Sequence, residues 1–182
     1  MKFDKLFIHP EGDCFSLDLP KLIVLLGPNG AGKTTMLNAI EAEAEKKDDC
    51  TVINDDVSRH GDTIGNVFDP VHITSTRFSS EGESMIHSFG LMLGKVGRAA
   101  KLADKKIILC LDKVDSGLSF DRIQEMISVL TEYVMKDCEL LAISANSYEL
   151  PYLLKDVAKF YWIPTKEFIE LGTFEEFVSM YK

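Results

Sequence analysis

The 182-residue sequence has one tryptophan, one glutamine (Gln124) and no C-x-x-C pair among its four cysteines, Cys14, Cys50, Cys110 and Cys138. Such spacing excludes a zinc finger or ribbon and offers no disulfide framework. Buried or idle thiols in a reducing compartment are expected. No apolar run approaches the length of a membrane span. The opening MKFDKLFIHPEGD is interrupted by charges and a proline, unlike a signal peptide. A cytoplasmic protein without a membrane partner is the expectation. Positive charge is also scarce: 20 Lys and Arg against 29 Asp and Glu leave a net charge of -9. That balance argues against nucleic-acid binding by bulk charge. His9, His60, His72 and His87 show no metal-ligand spacing and no recognisable nucleophile beside them.

What is present is ordinary globular material, 46% hydrophobic and 27% charged, enough for one domain over residues 1–182. KLIVLLG, KKIILCLD and ELLAIS are continuous apolar runs of the fully buried kind. Two short strands are expected in KLFIHPEGDCFSLDLP around a turn at Glu11-Gly12-Asp13, and two more at CTVIN and HITSTRF. KTTMLNAIEAEAEKK reads as a helix rich in strong helix formers. Ile86, Phe89, Leu93, Val96, Ala100 and Ala103 mark one face of a helix over 84–106, and Ile123, Met126, Ile127, Leu130 and Val134 mark another. A short helix at SYELPYLL, a hairpin of KFYWIPT with KEFIELG, and a terminal helix at TFEEFVSMYK complete the chain. Buried strands alternating with helices predict an α/β fold with a mainly parallel sheet and antiparallel strand pairs at its ends.

GPNGAGKTT fits G-x-x-x-x-G-K-[ST], with Gly27, Gly32, Lys33 and Thr34 in the defining positions. It lies between a buried strand and a helix, the context in which this loop wraps phosphates. The backbone of Asn29, Gly30, Ala31 and Gly32 and the start of the helix at Lys33, Thr34 and Thr35 would present N–H groups to the anions. Lys33 is expected to reach the β- and γ-phosphates, and the Thr34 hydroxyl to ligate Mg²⁺. Asp112, closing another buried strand, is the expected second carrier of the metal.

Three further segments follow in order: SSEGES (79–84), LDKVDSGLS (111–119) and ISANS (143–147). With the phosphate loop, they resemble the head of an ATP-binding cassette (ABC) ATPase, in the soluble branch used in chromosome maintenance and DNA repair. The resemblance covers nearly the whole chain and implies a P-loop NTPase fold of ABC ATPase type. It also implies ATP and Mg²⁺ as ligands, and a homodimer with ATP at its interface. Ser80, Gly82 and Glu83 then fall in the signature loop, where Ser80 and Gly82 would touch the γ-phosphate held by the opposite subunit.

The departures from the family concern water. Lys113 stands where the family has the glutamate that polarises the attacking water. Asn146 stands in place of the switch histidine; it can hydrogen-bond a phosphate but cannot carry an imidazole's proton. No glutamine lies between the phosphate loop and the signature, and Asn54, Asp55 or Asp56 are the substitutes at hand. Lys113, Asp115 and Asn146 are therefore the candidates at the catalytic position, with Asp115 or a partner's Glu83 as alternative bases.

The resemblance implies an ATP-gated dimer that hydrolyses slowly and regulates DNA or a protein such as a nuclease or toxin. Its alternatives are a competent ATPase with another base, or a small phosphotransferase on the same loop. About 30 residues separate the first helix from the signature, leaving no room for coiled-coil arms. Three side features remain open between site and scaffold. Lys95, Arg98, Lys101 and Lys105 form a basic stripe, Phe7 and Phe15 are candidates to stack on adenine, and Arg59 with His60 lies in a polar loop.

Overall fold

A computed structural model describes residues 1–7, 14–56, 81–102 and 105–181. Strands β1 (Lys2–Phe7) and β2 (Cys14–Asp18) pair antiparallel as a separate ribbon. The main sheet begins with β3 (Leu22–Leu26), followed by helix α1 (Lys33–Glu45), β4 (Cys50–Asp56), helix α2 (Glu81–Leu102) and β5 (Lys106–Asp112). Helix α3 (Phe120–Val129) continues through a π turn (Leu130–Val134) and a last helical turn (Met135–Asp137) into β6 (Cys138–Ser144). Helix α4 (Glu149–Leu154), the hairpin β7 (Lys159–Trp162) and β8 (Glu167–Ile169), and helix α5 (Phe174–Ser179) end the chain.

The six-stranded sheet has the order β4-β5-β6-β3-β7-β8. Its first five strands run parallel and β8 closes the edge antiparallel to β7. Strand β3 lies between β6 and β7, and every one of its side chains is buried. This is why LIVLL reads as an unbroken apolar run rather than an alternation. The pleat nevertheless sorts it. Leu22, Val24 and Leu26 face a layer with Met92 and Val96 of α2 and Ile123 and Met126 of α3. Ile23 and Leu25 face Met36, Leu37 and Ile40 of α1, with Phe3 and Leu6 of the β1 ribbon in the same layer.

Helix α2 is described over Glu81–Leu102, reaching further toward the N-terminus than its apolar periodicity indicates, and Lys106 belongs to β5 instead. Its first turn, Glu-Gly-Glu-Ser, has no apolar residue to register a helical face. The turn expected at residues 11–13 and the strand expected at 72–78 lie outside the described residues. Helix α5 starts with a capping box in which Thr173 and Glu176 exchange side-chain and backbone hydrogen bonds. Among the described residues, no helix is long and apolar enough to cross a membrane.

Candidate functional site

The carboxyl ends of β3, β5 and β6 converge, and each delivers a polar segment there. Where neighbouring connections leave a parallel sheet in opposite directions, such a crevice is the usual ligand position. After β3 the chain turns through Gly27, whose φ of 151° is one that side-chain-bearing residues rarely adopt and whose position would crowd a Cβ. A Cβ there would lie 3.0 Å from the Ala31 Cβ. Gly30 and Gly32 also take positive φ, 82° and 103°. Three left-handed glycines fold the loop back over the start of α1.

Helix α1 begins at an uncapped N-terminus, with Gly32 at the cap position and no acid in the first turn. Its leading N–H groups and positive dipole end are thus free of a competing anion from that turn. The Lys33 side chain curls back under the loop, donating from Nζ to the carbonyl oxygens of Gly27 at 2.6 Å and Pro28 at 3.3 Å. Lys33 is only 7% exposed. Burial pushes its pKa below the usual lysine value; the carboxylates of Asp112 and Asp115 oppose that shift and the Lys113 ammonium adds to it.

Asp112 closes β5 and is 3% exposed. Thr34 Oγ1 donates to its Oδ2 at 2.8 Å. Ser144, at the end of β6 and fully buried, donates from Oγ to Asp112 Oδ1. The same Ser144 oxygen accepts from the Lys113 backbone N–H at 2.9 Å. Lys113 itself takes φ 54°, a left-handed conformation unusual for a residue with a side chain.

Asp115, 4% exposed, is engaged with the loop after β6. Its carboxylate accepts from the backbone N–H of Asn146 at 3.0 Å and of Ser147 at 2.6 Å. The Asn146 side-chain amide also donates to Ser116 Oγ at 3.3 Å. A cavity of about 400 Å³ opens above these elements, lined among the described residues by Asn29, Gly30, Gly32, Lys33, Thr34, Thr35, Lys113 and Asn146.

The structure thus brings the phosphate-loop residues, Asp112, Lys113, Asp115 and Asn146 into one place. Ala31 sits within the same loop, its N–H bonded to the Pro28 carbonyl at 3.1 Å. Ser80 lies outside the described residues; Gly82 and Glu83 lie in the first turn of α2, where only the backbone is described. Asn54 donates its side-chain amide to Glu41, and Asp56 pairs in register with Asp112 across β4 and β5. The side chains of Phe7, Phe15 and His87 are not described, and neither are Arg59, His9, His60 and His72. Lys95, Arg98, Lys101 and Lys105 are all exposed. Among the described residues, no cluster of three His, Cys, Asp or Glu side chains forms a metal site.

Sequence reasoning missed two contributors. Ser144 carried only the weak signal of a serine ending an apolar run. Tyr181, beyond α5, accepts from the Gly27 N–H at 3.4 Å and stacks edge-on against Trp162, with ring centroids 5.1 Å apart. Nothing at the end of a chain signals contact with a loop 154 residues earlier.

This architecture is the P-loop NTPase fold of ABC ATPase type. The family model described as ABC transporter matches residues 12–77, a span that holds the glycine-rich loop and stops before SSEGES (79–84). Among solved structures, a metal-chelate type ABC transporter in an inward-facing conformation is similar, with 13% identity and a TM-score of 0.55. That match covers 98% of this chain and 87% of the other. No curated protein sequence matches. At this identity the structural likeness bears on the fold. The donor set itself suits a nucleotide and its metal. Thr34 and Asp112 offer adjacent hard oxygens appropriate to Mg²⁺, and the uncapped helix with Lys33 suits phosphates.

Proposed function

We propose that this chain binds ATP with Mg²⁺ at the β3–α1 loop, pairs with a second copy around the nucleotide, and hydrolyses it slowly. On this reading residues 1–182 act as one nucleotide-gated domain that regulates DNA or a protein partner. Lys33 and the loop N–H groups hold the phosphates, while the oxygens of Thr34 and Asp112 take the metal. The order of SSEGES, LDKVDSGLS and ISANS supports placing the chain with the soluble heads of chromosome maintenance and repair.

One observation carries the slow turnover. The cavity wall described above contains no carboxylate and no imidazole among the described residues, and Lys113 lines it instead. A charged ammonium favours a bound triphosphate but cannot accept a proton from water. The groups that bind are kept and those that activate water are replaced.

Two measurements on the purified protein test this. Light scattering should register a dimer with ATP and Mg²⁺ and a smaller species without, and phosphate release should be slow under the same conditions. A monomer at saturating nucleotide would sink the gating model. Rapid release, or label transferred to an acceptor, would return the chain to the ordinary ATPases or to the phosphotransferases.

A further inference from the structure

We infer that Asp115 is a positioning residue: it holds Asn146 against the phosphate cavity and is not the base that activates water. The inference rests on the reading of that cavity as a triphosphate site.

The turn after β5 and the loop after β6 are joined at several points. Asp115 Oδ2 accepts from both Asn146 N and Ser147 N, and Oδ1 lies 3.2 Å from Asn146 N. Both carboxylate oxygens are therefore turned toward one stretch of backbone. Ser116, the next residue, receives the Asn146 side-chain amide. The turn is itself closed by Ser116 N donating to the Lys113 carbonyl at 3.1 Å. Lys113 and Asn146, which both line the cavity, are thus fastened to one another through the residues between them.

A general base needs an oxygen within hydrogen-bond reach of the water. Asp115 is almost fully buried and is absent from the cavity wall. Its two oxygens are turned toward two backbone donors, and bonds of this charge-assisted kind are among the stronger ones in a protein. Releasing them would leave two N–H groups unpaired. Asp115 therefore acts on the ligand through Asn146.

Asp115→Asn tests this because asparagine keeps the shape but offers a single acceptor oxygen, and its NH₂ would face one of the two N–H donors. ATP affinity is measured by calorimetry for wild type, Asp115→Asn, Asn146→Ala and the double variant. The expected result is about a tenfold loss for Asp115→Asn in the wild-type background and little further loss beside Asn146→Ala, the signature of two residues acting as a unit. Amide hydrogen exchange should quicken at Asn146 and Ser147 in Asp115→Asn while β6 stays protected. Equal losses in both backgrounds would overturn the inference. So would unchanged affinity with a collapse in turnover, which is the mark of a lost base. If Asp115→Asn does not fold, Asp115→Glu takes its place in the cycle with the same expectations, since its longer side chain misplaces the carboxylate. A wild-type protein that fails to bind ATP would instead sink the nucleotide-site reading.

Discussion

Thr34 and Asp112, 78 residues apart in sequence, meet at 2.8 Å, where the threonine hydroxyl donates to the aspartate carboxylate. The contact ties the first turn of α1 to the end of β5 across the end of β6, whose Ser144 holds the other oxygen of Asp112. Two hard oxygens are thereby kept side by side beneath the phosphate loop.

Asp112→Asn should remove the metal's contribution while leaving the fold intact, because the amide oxygen still accepts from Thr34 or Ser144. Calorimetric titration of ATP with and without Mg²⁺ checks this. In the variant the two titrations should coincide, whereas in the wild type Mg²⁺ should tighten binding.

Lys33→Ala should weaken ATP binding by about 10- to 100-fold, the range for losing a charged hydrogen-bond partner. Calorimetry again reads it. Unchanged affinity would mean that the loop does not hold phosphates.

Lys33 should also leave a mark on stability at alkaline pH. Burial lowers its pKa from 10.5 in the folded, ligand-free protein. Between that lowered value and 10.5, the unfolded chain holds the proton more readily than the folded one, so stability should rise with pH across the window. Lys33→Met should flatten that rise in urea melts made at a series of alkaline pH values. A wild type and variant that respond identically would show that burial does not disfavour the charge.

Lys113→Glu decides the status of hydrolysis by sign. If water activation is what the chain lacks, turnover should rise by about 10²-fold, the lower end for a positioned general base, given the altered Asn146 position. If Lys113 instead stabilises charge developing on the phosphates, turnover should fall. Steady-state phosphate release distinguishes the two.

Cys110 and Cys138 should resist thiol reagents in the folded protein. Burial raises both thiols to about 12, so almost no thiolate exists near neutral pH. Mass spectrometry after brief alkylation should find both unmodified in buffer and both labelled in urea. Labelling of Cys110 in buffer would contradict its place inside β5.

The phosphate loop was legible because its requirements are local. Glycines at 27, 30 and 32 adopt conformations that side chains resist, and the strand before and helix after them announce themselves by composition. Strands β3, β5 and β6 were legible for a similar reason, since burial on both faces demands an unbroken apolar run. The start of α2 was not, because a polar first turn leaves no periodic trace.

Asp112 and Lys113 could be picked out one by one in the sequence, as could Asp115 and Asn146, but not what each one touches. The parallel register that sets Leu111 beside Ile143 also brings Asp112 next to Ser144, and a shift of one residue would turn that serine to the other face. Asp115 in the sequence is a plausible base; in the fold its carboxylate accepts from the backbone N–H groups of Asn146 and Ser147. The sequence by itself determined the glycine-rich loop between a buried strand and a helix, and the buried strands that end at Asp112 and Ser144. Tertiary structure alone decided which acid accepts from the Ser144 hydroxyl and which accepts from backbone N–H groups, because that depends on strand register and on hydrogen bonds between segments about 30 residues apart.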